Sequence, residues 1–309
     1  MANEIIISGL GDQTTTEVLA GKILLLLADR NALPSHPALM YAGSVNGRGS
    51  NVLKVPHVGL MGYDLAALTS EGTAVTNTAL TDASSTITVV RYSKVYQASD
   101  QARMIDANGV LNIDFFAMDA VVTQAATLLS LVANVTDDFT ATQGTSGADA
   151  TFANFLDCIT TLEVAKVIGP FLGILHPQQW GDIRKDIATA SGGAVQWNGG
   201  SQAMLDKAMK GLGAQGNFCG VDVFTTAYVP NANAAADRAG GIFGPGAVLW
   251  GDGVIPLEAD PNQAHLNGGK ILFERVRTGA SGYTGYVSHM EAGVSLGINA
   301  CGVSLITDA

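Results

Sequence analysis

The chain has 309 residues, of which 47% are hydrophobic and only 14% charged, with a net charge of −11 and a mean hydropathy of +0.26. That length exceeds one simple core, so two or more lobes are expected, and the acidic balance argues against a protein whose main task is gripping nucleic acid. No uninterrupted apolar run approaches the thickness of a bilayer, so the scarcity of charge points to surface hidden in contacts between subunits, or to a monomer coated with Ser, Thr, Asn and Gly.

The start, MANEIIISGLGDQ, carries no basic segment followed by an apolar core, so no secretory signal is read and a cytoplasmic site of synthesis is expected. Residues 1–50 read as an arm. Gln13 to Asn31 predicts a helix around Val18, Ile23, Leu24 and Leu27, with Thr14 to Thr16 as caps and Pro34 and Pro37 as stops. GSVNGRGS (43–50) fits either a segment that reaches a neighbouring subunit or an ordinary loop.

Residues 51–99 read as extended. NVLKVPHVGL alternates and carries a Pro suited to a sheet edge. In SSTITVVRYSKVYQ, Ile87 and Val89 share one face, whereas Val90, Tyr92, Lys94 and Tyr96 share the other. That change of phase predicts a bulge or a handover between two packing partners. The Thr-rich stretch between the strands reads as the tip of a long hairpin, which has too little core of its own and must lie on something.

Val110 to Val135, VLNIDFFAMDAVVTQAATLLSLVANV, predicts a spine helix. Asn112, Asp119, Thr123, Thr127, Ser130 and Asn134 form one narrow polar stripe on it. About 25 residues would span roughly 37 Å, with most of the circumference buried. Asp114, Asp119 and Gln124 argue against a membrane span. A loop with a lobe boundary near 138–150 follows, then a helix over Phe152 to Ile168. PFLGILHPQQWGDIRKDI predicts a short strand and a helix opened by Pro177, with Trp180 and Ile183 on one face. SGGAVQWNGG reads as a loop, SQAMLDKAMK as a helix and GVDVFTTAYVP as a strand, which gives this lobe an α/β character. From Lys270 the chain turns to strands, expected to return to the spine.

Neither of two motif matches carries chemistry. Gly211, Gly213 and Gly216 spell G-x-G-x-x-G, but a helix precedes them and a strand follows, the reverse of what a dinucleotide loop needs. Gly293, Ser295 and Gly297 spell G-x-S-x-G, yet the segment alternates like a strand and no histidine follows His289. His36, His57, His176, His265 and His289 lack the companions of a transition-metal site, and no calcium loop is present. The isolated Cys158, Cys219 and Cys301 fit reduced, mostly buried thiols. No catalytic, cofactor-binding or metal-binding residue is assigned, and no cofactor is expected.

Laid out in order, the chain resembles the major capsid proteins of tailed bacteriophages, with their HK-ninety-seven-like shell fold. Four pieces carry the likeness over about residues 50–305: SSTITVVRYSKVYQASDQA leading into the spine; the spine itself; GILHPQQWGDIRKDI; and GVDVFTTAYVP with GIFGPGAVLWGDG. The resemblance implies an α+β fold with an N-terminal arm at 1–50 and an extended β-hairpin loop at 51–99. It implies a peripheral domain with the spine helix at 100–140 and 256–309, and an axial α/β domain at 141–255. Many relatives begin with a long, charged, removable scaffolding segment, whereas this chain goes almost straight into the arm. Either scaffolding is then a separate protein, or the subunit is processed or scaffold-free. The cross-link between subunits found in some members has no Lys–Asn pair placed for it here.

The function implied is a non-enzymatic shell subunit that assembles with itself as hexamers and pentamers in a virion capsid, put together in the host cytoplasm. Its further partners would be separate scaffolding, portal and decoration proteins, and it would enclose double-stranded DNA without reading sequence and without a membrane. Basic residues are absent from Met104 through Ala165, a span that holds Asp106, Asp114, Asp119, Asp137, Asp138, Asp149, Asp157 and Glu163. These residues provide either plain solubility or a lining that repels DNA. The alternatives are an encapsulin-type nanocompartment shell, a soluble α/β hydrolase using Ser295, and a decoration or tail protein.

Overall fold

The structure is a computed structural model that describes residues 36–58, 82–105, 113–190, 214–256, 263–266, 270–278 and 282–308. The expected helix at Gln13–Asn31, the hairpin tip, and the stretches SGGAVQWNGG and SQAMLDKAMK lie outside the described residues. In chain order the elements begin with β1 (Leu39–Ser44), β2 (Val52–Val58), β3 (Asp82–Thr88), β4 (Val90–Ser99), α1 (Asp100–Ile105) and α2 (Ile113–Val135). Next come β5 (Ala141–Gln143), α3 (Phe152–Val164), β6 (Phe171–Leu175), α4 (Pro177–Ala190), β7 (Ala214–Phe218), β8 (Val221–Thr225) and β9 (Asn231–Ala232). The last six are β10 (Asp237–Phe243), β11 (Val248–Gly253), β12 (Gln263–Leu266), β13 (Ile271–Thr278), β14 (Tyr283–Leu296) and β15 (Gly302–Asp308).

Two sheets carry the fold. In the first, of six strands, β4 pairs with one edge of β14, while β13 and then β11 pair with its other edge. β12 extends the sheet beyond β13, and β1 runs parallel to β11. The second sheet runs β5-β15-β10-β6-β8-β7, with β9 added to β10. Strand pairing therefore cuts across the segments marked out in the sequence. β1 from the arm, β4 from the hairpin stretch and β11 from the axial stretch all join the first sheet. The final strand, β15, leaves β13 and β14 and sits between β5 and β10.

The phase change at Val89 is a handover. β3 pairs with β2 as a ribbon, and after Val89, whose amide donates to Asn51 O at 2.9 Å, β4 pairs with β14. Leu53, Ile87 and Val89 pack on Leu249, which seats the ribbon's base on the first sheet. That seat explains the G-x-S-x-G match. A Cβ on Gly293 would meet the Thr88 carbonyl oxygen at 2.4 Å, and one on Gly297 would meet that of Gly246 at 2.2 Å. The glycines permit close backbone approach. Ser295 stands in extended β14, with its hydroxyl donating to the Leu296 carbonyl at 3.4 Å.

The spine, α2, is a 23-residue helix, ~35 Å long. Phe116 stacks on Tyr286 at 5.3 Å and tilts against Tyr96 at 5.2 Å, while Phe273 stacks on Tyr286 at 5.9 Å. One expectation is corrected here. Phe116, Ala120, Gln124 and Ala125 are buried, but Val122, Thr123, Ala126, Thr127 and Leu131 are only half-buried and Asn134 is exposed. Among the described residues the helix lies on a single sheet face, and its outer flank is only half-buried.

In the second lobe, Trp180 meets Phe218 edge-on at 5.3 Å, and Phe155 packs on Phe218 at 5.5 Å. Buried Gln179 donates to the carbonyls of Arg238 and Leu305 at 3.0 and 3.1 Å and accepts from the His176 amide at 3.1 Å. Helix α4 is thereby tied to two strands at once. Helix α3 stops at Val164 rather than Ile168. Lys166 adopts φ 61°, and the Val167 amide donates back to Leu162 O at 3.0 Å, a helix-ending turn usually given to glycine. The Cys219–Gly220 turn between β7 and β8 has both φ values positive, and Gly216 lies in β7, so this Gly-rich stretch opens no helix.

The two lobes meet at Thr136. Its buried hydroxyl lies 2.7 Å from Ala133 O and 2.6 Å from Ala239 O, and Ser304 donates to its carbonyl. Thr136→Val keeps the shape and leaves the Ala239 carbonyl short of a donor. It is expected to cost ~1–3 kcal/mol in denaturant unfolding of the unassembled subunit. The exposed Thr160→Val should change stability by less than about 0.5 kcal/mol.

Candidate assembly interface

Among the described residues no helix is long and apolar enough to cross a membrane, and no group of His, Cys, Asp and Glu is arranged to hold a metal. Cys158 and Cys301 are buried and Cys219 is exposed. Burial, then the charge of Asp157, pushes the Cys158 thiol up to about 12, which keeps it protonated and unreactive.

One polar chain was invisible in the sequence. Ser93 Oγ lies 2.6 Å from His289 Nδ1, His289 Nε2 lies 2.8 Å from Glu274 Oε1, and Gln263 Nε2 donates to Glu274 Oε2 at 3.3 Å. The order hydroxyl–imidazole–carboxylate is that of a nucleophilic triad. These residues, however, lie across four neighbouring strands on the sheet face opposite α2, with Arg91 and Glu291 paired beside them at 2.8 Å. The chain works as a cross-strand tie that pins register across β4, β14, β13 and β12. Only strand pairing brings residues so distant in sequence together, and no local spacing announces it.

On the other face, the spine's polar stripe turns toward β4. Lys94 Nζ lies 2.6 Å from Asp119 Oδ2 and 3.1 Å from Thr123 Oγ1, and the Tyr96 hydroxyl donates to Asp119 at 2.6 Å. Burial, then the hydrogen bond to Asp119, holds the Tyr96 phenol well above its usual range. Past this anchor, a groove of about 640 Å³ runs along the outer flank of α2 between Asp119 and Asn134, with Tyr92 and Lys94 on one wall and Tyr228 at one side. A smaller cavity of about 260 Å³ lies beneath the helix, reaching Gln124, Ser288 and Met290.

Several large apolar side chains remain exposed. Val90 and Val95 stand on β4, Met104 and Ile105 on α1, and Val164 and Ile168 at the end of α3. Burying such side chains against an apolar surface would be favourable. Of the acidic residues in the block, Asp137, Asp138, Asp149, Asp157 and Glu163 are exposed, while Asp119 is engaged by Lys94.

A carboxylate also joins β1 to the first sheet. Tyr41 donates to Asp252 at 2.6 Å, and Lys270 Nζ sits 3.3 Å from the same carboxylate and 4.9 Å from the Trp250 ring. Burial first, then the hydrogen bond and charge of Asp252, raises the Tyr41 phenol from 10.0 to about 12. A raised folded-state pKa means that the tie is complete below pH ~10 and is lost as pH climbs through about 12. Unfolding midpoints measured between those pH values should fall less steeply for Tyr41→Phe than for the unaltered chain.

No protein-family model and no curated protein matches the chain. Solved structures do match it. A chain from Mycobacterium phage Che8 is 13% identical, with 83% of this chain and 84% of that chain covered and a TM-score of 0.58. The capsid of cyanophage P-SCSP1u gives 12% identity, coverage of 87% and 86%, and a TM-score of 0.54. The holo-SrpI encapsulin complex from Synechococcus elongatus gives 10%, coverage of 90% and 88%, and 0.58. Spine, flanking ribbon and the two sheets together thus make the HK-ninety-seven-like shell fold, the fold of tailed-phage major capsid proteins.

Proposed function

We propose that the protein is a structural shell subunit that assembles with copies of itself into a closed icosahedral capsid around a double-stranded DNA genome. The single observation that carries this reading is the shell fold, matched across most of the length of phage capsid chains. The half-bare spine, the exposed valines of β4 and the projecting ribbon add support, because each leaves area for a neighbour to cover. Association is the mechanism. One interface of standard size buries roughly 1,600 Å², and a shell sums many such contacts, so each can be modest. The arm ahead of β1 and the ribbon between β1 and β4 clasp neighbours, the spine with the first sheet forms the peripheral domain, and the second lobe gathers at the symmetry axes. Hexamers and pentamers form in the host cytoplasm and end in the virion, with separate scaffolding, portal and decoration proteins as partners.

The encapsulin reading keeps a specific observation in its favour, the likeness to the SrpI complex, at a TM-score equal to that of the Che8 chain. In that case the cargo is protein. Electron microscopy of the chain expressed alone should show closed polyhedral particles; a small, uniform species under every assembly condition tried would sink both readings.

The exposed carboxylates of Asp137 and Asp138, close to the end of the spine, belong to the lining that faces the genome and lets DNA slide during packaging. Particles of Asp137→Arg with Asp138→Arg should retain host nucleic acid, read as a raised absorbance ratio at 260 over 280 nm after nuclease treatment. An unchanged ratio places these residues outside.

A further inference from the structure

β4 is a bare edge. Along Val90–Ser99 it hydrogen-bonds to β14 on one side, and among the described residues nothing pairs with its other side. About half of its backbone N–H and C=O groups therefore point outward. A long edge of this kind templates another strand unless charge or a bulge blocks it. The two cations that would block it are occupied by the subunit's own carboxylates, Arg91 by Glu291 at 2.8 Å and Lys94 by Asp119 at 2.6 Å. Directly beside the edge lies the groove on α2, floored by Val122, Ala126 and Leu131 and ~22 Å long from Asp119 to Asn134. That length takes a strand of about six residues. Edge and groove together have the form of a site for strand addition, in which the backbone supplies affinity and alternate side chains enter pockets.

We propose that the occupant is Asn3–Ser8 of a second copy of the chain. That segment, NEIIIS, has three consecutive β-branched residues. As a strand it sends Ile5 and Ile7 to one face, into the groove, and Ile6 to the other, toward the exposed Val95. The described chain begins at His36, so the roughly 28 residues from Ser8 reach up to ~90 Å. The arm's root and the bare edge also lie on opposite flanks of the first sheet. At Glu291 and Ala292, β11 pairs with one edge of β14 and β4 with the other, and β1 lies beyond β11. Passing the arm of one copy to β4 of the next is a head-to-tail contact, the kind that closes into rings. This inference rests on the shell-subunit reading and names one of its contacts.

The test uses assembled full-length chains. Ile6 is replaced by the photo-reactive benzoylphenylalanine, and light- and heavy-nitrogen chains are co-assembled in equal amounts before irradiation. Peptides linking position 6 to 90–99 or to the groove face of α2 should carry mixed labels. Amide exchange along β4 in unsubstituted particles should be slower by about tenfold or more than in particles whose Asn3–Ser8 is replaced by Gly-Ser. Links with unmixed labels only would overturn the second copy as occupant. Links elsewhere, with β4 exchange unchanged by the replacement, would overturn the docking site. Micrographs of the same samples separate the two claims: closed shells with unprotected β4 defeat this inference alone, and the absence of shells defeats the functional reading.

Discussion

Where the spine helix ends, one threonine has to serve two lobes. Thr136 caps the last turn through Ala133 O, reaches Ala239 O in β10, and receives Ser304 of β15 on its own carbonyl. A Cβ at Gly241 would already meet Thr136 Cβ at 3.1 Å, so the helix end sits directly against the second sheet. A junction this tight fixes the direction in which a ~35 Å lever leaves that sheet. The aromatic contacts of Phe116 with Tyr96 and Tyr286 then fix the first sheet at the far end of the lever. In the proposed shell role this rigidity would matter, since neighbours would be held at angles that the subunit's own body sets.

The same arrangement leaves surfaces incomplete. A helix lying on one sheet face, with no described element over its other side, leaves part of its apolar surface open. Val122, Ala126 and Leu131 stay half-exposed, and among the described residues β4 beside them ends its sheet without a partner. In a monomer these are liabilities. In the proposed assembly they are binding area, a reading with which the low charge content of the chain is consistent.

Much of the fold was legible because its signals are local. The spine, the helix opened by Pro177 and the handover at Val89 follow from periodicity, a fixed φ and a change of phase within a few residues. The bare flank of the spine was not legible, since a helix that is apolar almost all round does not say which side is covered. Register-dependent features were equally hidden. The Ser93–His289–Glu274–Gln263 tie needs four strands in place, and Gly293 and Gly297 make sense only once the Thr88 and Gly246 backbones lie against them. Lys166 ended α3 early because its left-handed turn is a position where glycine, not lysine, is the usual sequence signal.

The central claim is that this subunit is complete only among copies of itself. Charge-detection mass spectrometry of the purified chain tests it most directly. The account expects discrete particles in the megadalton range, each a whole-number multiple of 31.8 kDa. A mass confined to 31.8 kDa, or to a few times that value, at every concentration and salt tried would contradict it.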